Sequence, residues 1–292
     1  MKQFLHAITF TLCIVILMAT HSLRAQEEYS TDFSIAFQIN HQDRETAVYQ
    51  GEPLIFYFGL SNPKAMNAYY YNLAKHKEIK EVKAVTLGTD KLPWTKLVSF
   101  FIEDKERKQI PSWKGNITGD IFRDGLKAMA LLDGENTAEG YFVISPQVSG
   151  EIPLGTYHIT VVIDTRGYKN YPMWQGRAVS DVFILKIIAR PSQLSGKALK
   201  ESYELNGRYY LLIEDFNKVK EFAEKILATD VHSLVGLSLL AWAWEGLKEY
   251  DAAIDILQKS EHEFWRQYPR SYEPPEEIIY RIQRLKEKLG KK

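Results

Sequence analysis

The last third of the chain repeats itself at a spacing of about 34 residues, and few architectures tolerate that period. Shifting the segment from Lys200 by one period sets Gly207 on Ala241, Tyr210 on Trp244, Ile213 on Leu247, Phe216 on Tyr250 and Val219 on Ala253. Small and aromatic residues recurring at fixed offsets mark stacked pairs of helices. Helices approach closely only where one side chain is short, and a neighbouring ring fills the space left beside it. Arrays of this kind hold partners far more often than they break bonds.

The apolar spacing beyond Ser192 is helical throughout. It predicts helices over Leu199–Leu211 and Phe216–Ala228, then over Leu234–Leu247 and Tyr250–Phe264, with a closing helix over Glu276–Leu289. Asp215 and Asp230 fall where N-caps are wanted. The basic end, Arg281 to Lys292, reads as cations closing a helix C-terminus, where the dipole favours them. Upstream, from about Phe33 to Ala189, the period changes to that of strands. Phe33 to Ile39 alternates apolar and polar, and Leu54–Leu60, Val82–Leu87, Leu97–Ile102, Tyr141–Ile144, Tyr157–Ile163 and Val182–Ile188 follow, bounded by turn formers. Short strands spread over such a length imply an antiparallel sandwich. Asp104 to Gly140 is a glycine-punctuated excursion with one short helix expected over Leu126–Leu132. The fold class expected is therefore α+β, an N-terminal sandwich followed by C-terminal helical pairs.

Both regions resemble known families. Gly207 and Ala241 as the small residues, Tyr210 and Trp244 one turn later, and Phe216 and Tyr250 opening the second helices are similar to the tetratricopeptide repeat. Asp230-Val231, where that family closes with Asp-Pro, and Trp265, in place of the closing proline, depart from it. Gln50-Gly51-Glu52-Pro53-Leu54 and Ile152-Pro153-Leu154-Gly155-Thr156-Tyr157, each leading into a strand, resemble immunoglobulin-like sandwiches of bacterial exported proteins, without the Cys–Trp–Cys core.

The N-terminus bounds the compartment. Met1-Lys2, an apolar run from Ala7 to Ala19 and Leu23-Arg24-Ala25 follow the layout of a secretory signal, with cleavage expected after Ala25. The run is shorter than the ~20 residues of a membrane span. Three segments are thus expected: 1–25 as signal peptide, 26–191 as the immunoglobulin-like β-sandwich and 192–292 as the tetratricopeptide-like helical domain. The only cysteine, Cys13, lies in the signal, so disulfides and cysteine-held metals are not expected in the mature chain. Lys2 and Arg24 leave with the signal, so 35 of the 37 basic residues face 37 acidic ones. That balance gives no electrostatic footprint for nucleic acid.

Motif chemistry is sparse. His41, His76, His158, His232 and His262 stand at no ligand spacing, and no nucleophile elbow or phosphate-cradling loop occurs. No catalytic residue, cofactor or metal ligand is expected. Two surfaces remain as binding candidates. In the tetratricopeptide family the first helix of each pair lines the inner face. By position, that implies Glu201, Glu204 and Arg208 in the first copy, then Val235, Ser238, Trp242 and Glu245 in the second. The same face has an alternative use, docking on the sandwich, because two pairs alone bury little core. The other candidate is the loop containing Arg166, Tyr168, Tyr171 and Trp174, whose rings and cations suit an interaction hot spot or a sugar. Burial of Tyr171 and Trp174 against a neighbouring strand is its competing reading. The leading expectation is a non-catalytic binding protein, periplasmic or surface-associated in bacteria, that recruits a protein partner within an envelope assembly. A carbohydrate-binding sandwich braced by helices comes second, and an enzyme acting on envelope polymers third.

Overall fold

The computed structural model describes residues 33–62, 84–110, 113–118, 128–133, 136–268 and 276–290. The expected signal peptide lies outside the described residues. β-Sheets occupy residues 34–188 and helices residues 196–288.

The first sheet pairs β1 (Ser34–Ile39), β3 (Leu54–Ser61), β9 (Ala138–Ile144) and β7 (Asn116–Thr118) in that order, antiparallel throughout. The second runs β2 (Glu45–Tyr49), β12 (Phe183–Ile188), β10 (Gly155–Asp164), β5 (Val98–Glu103) and β6 (Gln109–Ile110). In it β2 lies parallel to β12, and β11 (Arg177–Val179) extends the far end of β10. The two sheets face each other across one aromatic core. Phe37 and Phe56 meet Phe100 at 6.2 and 5.8 Å between ring centres, and Phe37 also meets Phe183 at 5.7 Å. A small ribbon of β4 (Val85–Leu87) and β8 (Ala130–Leu132) joins the same core. Here the structure departs from the short helix expected over Leu126–Leu132, because Ala130 and Leu132 alternate into the core as a strand. Also unannounced by the pattern is α1 (Pro146–Glu151), started by the Ser145 side chain on the Val148 N–H with proline at its first turn.

β3 explains how the helices come to rest on the sheet. Its run Leu-Ile-Phe-Tyr-Phe is buried on both faces. Leu54, Phe56, Phe58 and Leu60 point between the sheets, whereas Ile55 points outward beside Val143 of β9. That outer pair is covered by Tyr209 and Leu212 of α2 (Gly196–Leu212). Thr118 Oγ1 also donates to the Leu212 carbonyl at 3.2 Å. The connection is pinned by Arg190, which reaches Glu52 at 3.7 Å and Ser202 at 3.5 Å.

After α2 come α3 (Phe216–Thr229), α4 (Leu234–Gly246), α5 (Tyr250–Gln267) and α6 (Glu276–Lys288), each packed on the one before. α4 is the middle of the stack. Its sequence Leu-Val-Gly-Leu-Ser-Leu-Leu-Ala-Trp-Ala-Trp-Glu-Gly is apolar all round, as a helix packed on several sides requires. α2 and α4 are close at Gly207, where a β-carbon would lie 2.7 Å from the Leu239 side chain. Ala241 is fully buried at the matching position of the second copy. Asp215 caps α3 as expected. Asp230 does not cap α4: it ends α3, and Ser233 takes the cap by accepting from the Gly236 N–H. Among the described residues, no helix is long and apolar enough to cross a membrane.

Candidate binding crevice

Between the outer face of the first sheet and the inner faces of α2 and α4 lies a crevice of about 320 Å³. That is at the small end of the roughly 300–1,000 Å³ of ligand sites. The sheet contributes Ile55, Tyr141 and His41, and the helices contribute Arg208, Leu211, Leu239 and Trp242 with their neighbours. Four residues placed on the inner face by position, Arg208, Val235, Ser238 and Trp242, come together here.

The sheet-side residues were not legible as site residues. His41 reaches the crevice through the tight turn between β1 and β2, where Asn40 and His41 both hold positive φ, 49° and 64°. Two consecutive left-handed residues make the hairpin turn that matches strand twist, and Asn and His tolerate that region better than most. The turn is locked onto β3: Asn40 N–H donates to the Ile55 carbonyl at 2.9 Å, and Asn40 Oδ1 accepts from the Ile55 N–H at 2.9 Å. His41 Nε2 thereby lies 2.8 Å from Arg208 Nη1. The guanidinium donates, so Nε2 accepts and the ring is neutral. Lost hydration in the crevice, then the Arg208 charge, lower the His41 pKa from its usual value. The asparagine-led turn and the doubly apolar β3 are the sequence signals that foretell a covered outer face.

Glu201, Glu204 and Glu245 take no part in the crevice lining. Glu201 is exposed and pairs with Lys197 on its own helix at 3.4 Å. Glu204 is half-buried on α2. Glu245 is covered by α6, where Arg281, Arg284 and Lys288 approach its carboxylate at 3.3, 2.5 and 3.6 Å. The Arg281 guanidinium also lies 3.6 Å from the centre of the Trp242 ring, a stacked cation–π contact. These cations therefore do not simply close a helix end: Arg281 sits within α6 and turns onto α4. Its burial lowers the Arg281 pKa, against the pull of Glu245.

The second candidate surface is more firmly tied into the fold. Trp174 meets Phe33 edge-on at 4.7 Å, and its backbone N–H donates to the Thr86 carbonyl at 2.8 Å. Tyr171 packs on the core and carries Tyr168 edge-on at 6.0 Å. Arg166 grips Asp164 with three contacts of 2.6 to 3.3 Å, which hold the Asp164 carboxyl below its usual pKa. Tyr168, Lys169 and Asn170 remain exposed at the tip. Among the described residues, no group of three or more histidine, cysteine or acidic side chains is placed to hold a metal ion.

No family model matches the chain, and no curated protein does. Among solved structures it is similar to a family 123 glycoside hydrolase from Clostridium perfringens, described for glycolipid glycan hydrolysis, at 8% identity and a TM-score of 0.29. That match covers 67% of this chain and 35% of the hydrolase. It is also similar to BcpA, the major pilin subunit of Bacillus cereus, at 8% identity and a TM-score of 0.21, over 53% of this chain and 40% of the pilin. The chain thus spans well under half the length of either protein. Likenesses this slight leave function to be read from the chain's own residues.

Proposed function

We propose that the chain is an exported, non-catalytic binding protein of the bacterial envelope, with a tetratricopeptide-like module recruiting a protein partner beside an immunoglobulin-like sandwich. The observation that carries this reading is the crevice. The first helix of each repeat copy faces it, it is apolar, and the sheet closes only part of it. Local geometry supports the family likenesses. Tyr157 donates through its hydroxyl to the Pro153 carbonyl at 2.7 Å, the kind of tyrosine corner found in immunoglobulin-like sandwiches. In the helices, Gly207 and Ala241 admit close neighbours, as the repeat demands.

Filling the crevice tests the reading. Ser238→Trp puts a ring into it while leaving the buried helix contacts in place. Envelope proteins crosslinked to the wild-type chain are expected to be lost from the variant, and an unchanged crosslinking pattern would overturn the proposal. The carbohydrate reading keeps one specific support, the exposed Tyr168-Lys169-Asn170 tip. A glycan array in which Tyr168→Ala abolishes binding would move the site to that loop.

A further inference from the structure

The crevice has a chemical bias that a generic partner site does not need. Its walls are hydrocarbon and aromatic, and Arg208 is the one charged side chain among its described lining residues. No carboxylate among the described residues pairs with that guanidinium; its described partner is the neutral His41 ring. A second observation lies behind Trp242. Arg281, only 4% exposed, stacks on that ring, and its Nε has no hydrogen-bond partner. Glu245 meets three cations there, and Glu277 adds a second negative charge near Arg281. The crevice is therefore mainly apolar, with Arg208 in its lining and a second guanidinium stacked on the Trp242 ring.

An anionic head on an apolar tail fits that arrangement. A sugar would bring more hydroxyls than His41, Tyr141, Arg208 and Ser238 can answer, and a fully threaded peptide backbone more amides, each unpaired group costing free energy. An acyl chain brings neither. We propose that the crevice binds a medium-chain carboxylate, with the tail among Ile55, Leu239 and Trp242 and the carboxylate accepting from Arg208. This rests on the crevice being a binding site, as proposed above, but not on the partner being a protein.

Titrating the purified protein with decanoate, decanol and acetate, followed by Trp fluorescence and calorimetry, tests it. Decanoate is expected to saturate one site at least tenfold more tightly than decanol, with acetate not binding. Arg208→Gln is expected to bring decanoate down to the affinity of decanol, Arg208→Lys to keep the preference, and Ser238→Trp to abolish both. Matching thermal melts keep a folding defect from passing as lost binding. Equal binding of decanoate and decanol to the wild type, or a preference that survives Arg208→Gln, would overturn the inference. The two proposals can also fail separately. Crosslinking lost in Ser238→Trp without decanoate binding removes only this one, and decanoate binding with unchanged crosslinking removes only the protein partner.

Discussion

Leu211 and Glu245 occupy the same place in the two helical copies, about one 34-residue period apart; Leu211 is buried, and Glu245, half-buried as a residue, has its side chain 9% exposed. Their surroundings differ completely. Leu211 sits among Val219, Ala223 and Leu239 and borders the crevice, on a copy whose inner face rests on the sheet. Glu245, the only charge in α4, is answered by a basic helix laid across the second copy. The repeat thus decides which positions are buried, while whatever covers each copy decides their chemistry. One copy is covered by a sheet that brings hydrocarbon, the other by a helix that brings guanidinium groups.

The largest test of that contrast is to remove the carboxylate. Glu245→Ala leaves Arg281 buried without its counter-charge, and breaking a buried pair this way costs about 3–5 kcal/mol. Urea unfolding is the measurement. Restoring an apolar contact with Glu245→Leu and Arg281→Leu together is expected to recover most of the loss, because a buried pair exchanged for well-packed hydrocarbon is often neutral. A loss below about 1 kcal/mol for the single variant would place Glu245 with ordinary surface pairs and erase the difference between the copies.

The sheet-covered copy should respond in a different currency. Leu212→Ala removes hydrocarbon from the cluster with Ile55, Val143 and Tyr209. It is expected to cost about 2 kcal/mol, the low end for Leu→Ala, since the helix can settle onto the sheet. Hydrogen exchange should quicken at α2 and leave the α5–α6 contact unchanged. Equal quickening in both places would make the two covers one cooperative unit.

What the sequence discloses follows the same division. The C-terminal helices were legible to within three residues at each end because small and aromatic positions recur with a period, whereas α1 was not expected. Most of the longer strands were legible from alternation or from runs rich in branched and aromatic residues, though β2 (Glu45–Tyr49) was not expected. Strands such as β6, β7, β8 and β11 were not, because each is two or three residues long and owes its existence to a partner far away in the chain. The site divides likewise. Arg208, Val235, Ser238 and Trp242 were found by repeat position. Their fellow lining residues His41 and Tyr141 come from another fold region, and nothing local tells a turn histidine which helix it will face. By sequence Glu245 belongs to a partner face and the basic stretch from Arg281 to a helix end, and their meeting was not legible because it depends on how α6 is laid across α4.

A smaller test uses a feature the copies share. Each first helix ends with a residue in the left-handed region, Glu214 at φ 59° and Lys248 at φ 66°. In both, the following amides reach back in the paired bonds of a Schellman ending: Asp215 N–H to the Tyr210 carbonyl and Glu249 N–H to the Trp244 carbonyl. A side chain there costs about 1–2 kcal/mol that glycine avoids, offset by glycine's own entropy cost of about 0.5–1 kcal/mol. Glu214→Gly and Lys248→Gly are each expected to stabilise by roughly 0.5 kcal/mol, and by the same amount, since the turn geometry is common to both copies. A thermal shift in only one would show that the covers strain the turns differently.

The smallest effects separate the copies by pH. His41, which meets the first copy, has a folded pKa below its ordinary 6.5, with burial the larger cause and Arg208 the second. A base depressed by folding is protonated more readily in the unfolded chain. Its neutral-state stability is therefore complete above pH 6.5 and declines as pH falls below it. Glu263, on the second copy, behaves as the opposite kind of group. Arg266 at 2.5 Å and, more weakly, Gln267 and His232 lower its carboxyl from 4.5 to about 2. Its stabilising contribution is complete above pH 4.5 and is lost as pH falls toward 2. Acid titration of stability should therefore show a shallow decline setting in below pH 6.5 that His41→Asn flattens, and a separate one below pH 4.5 that Glu263→Gln reduces. If His41→Asn leaves the upper decline unchanged, the turn histidine is not held neutral against Arg208, and the first copy's contact with the sheet rests on its apolar residues alone.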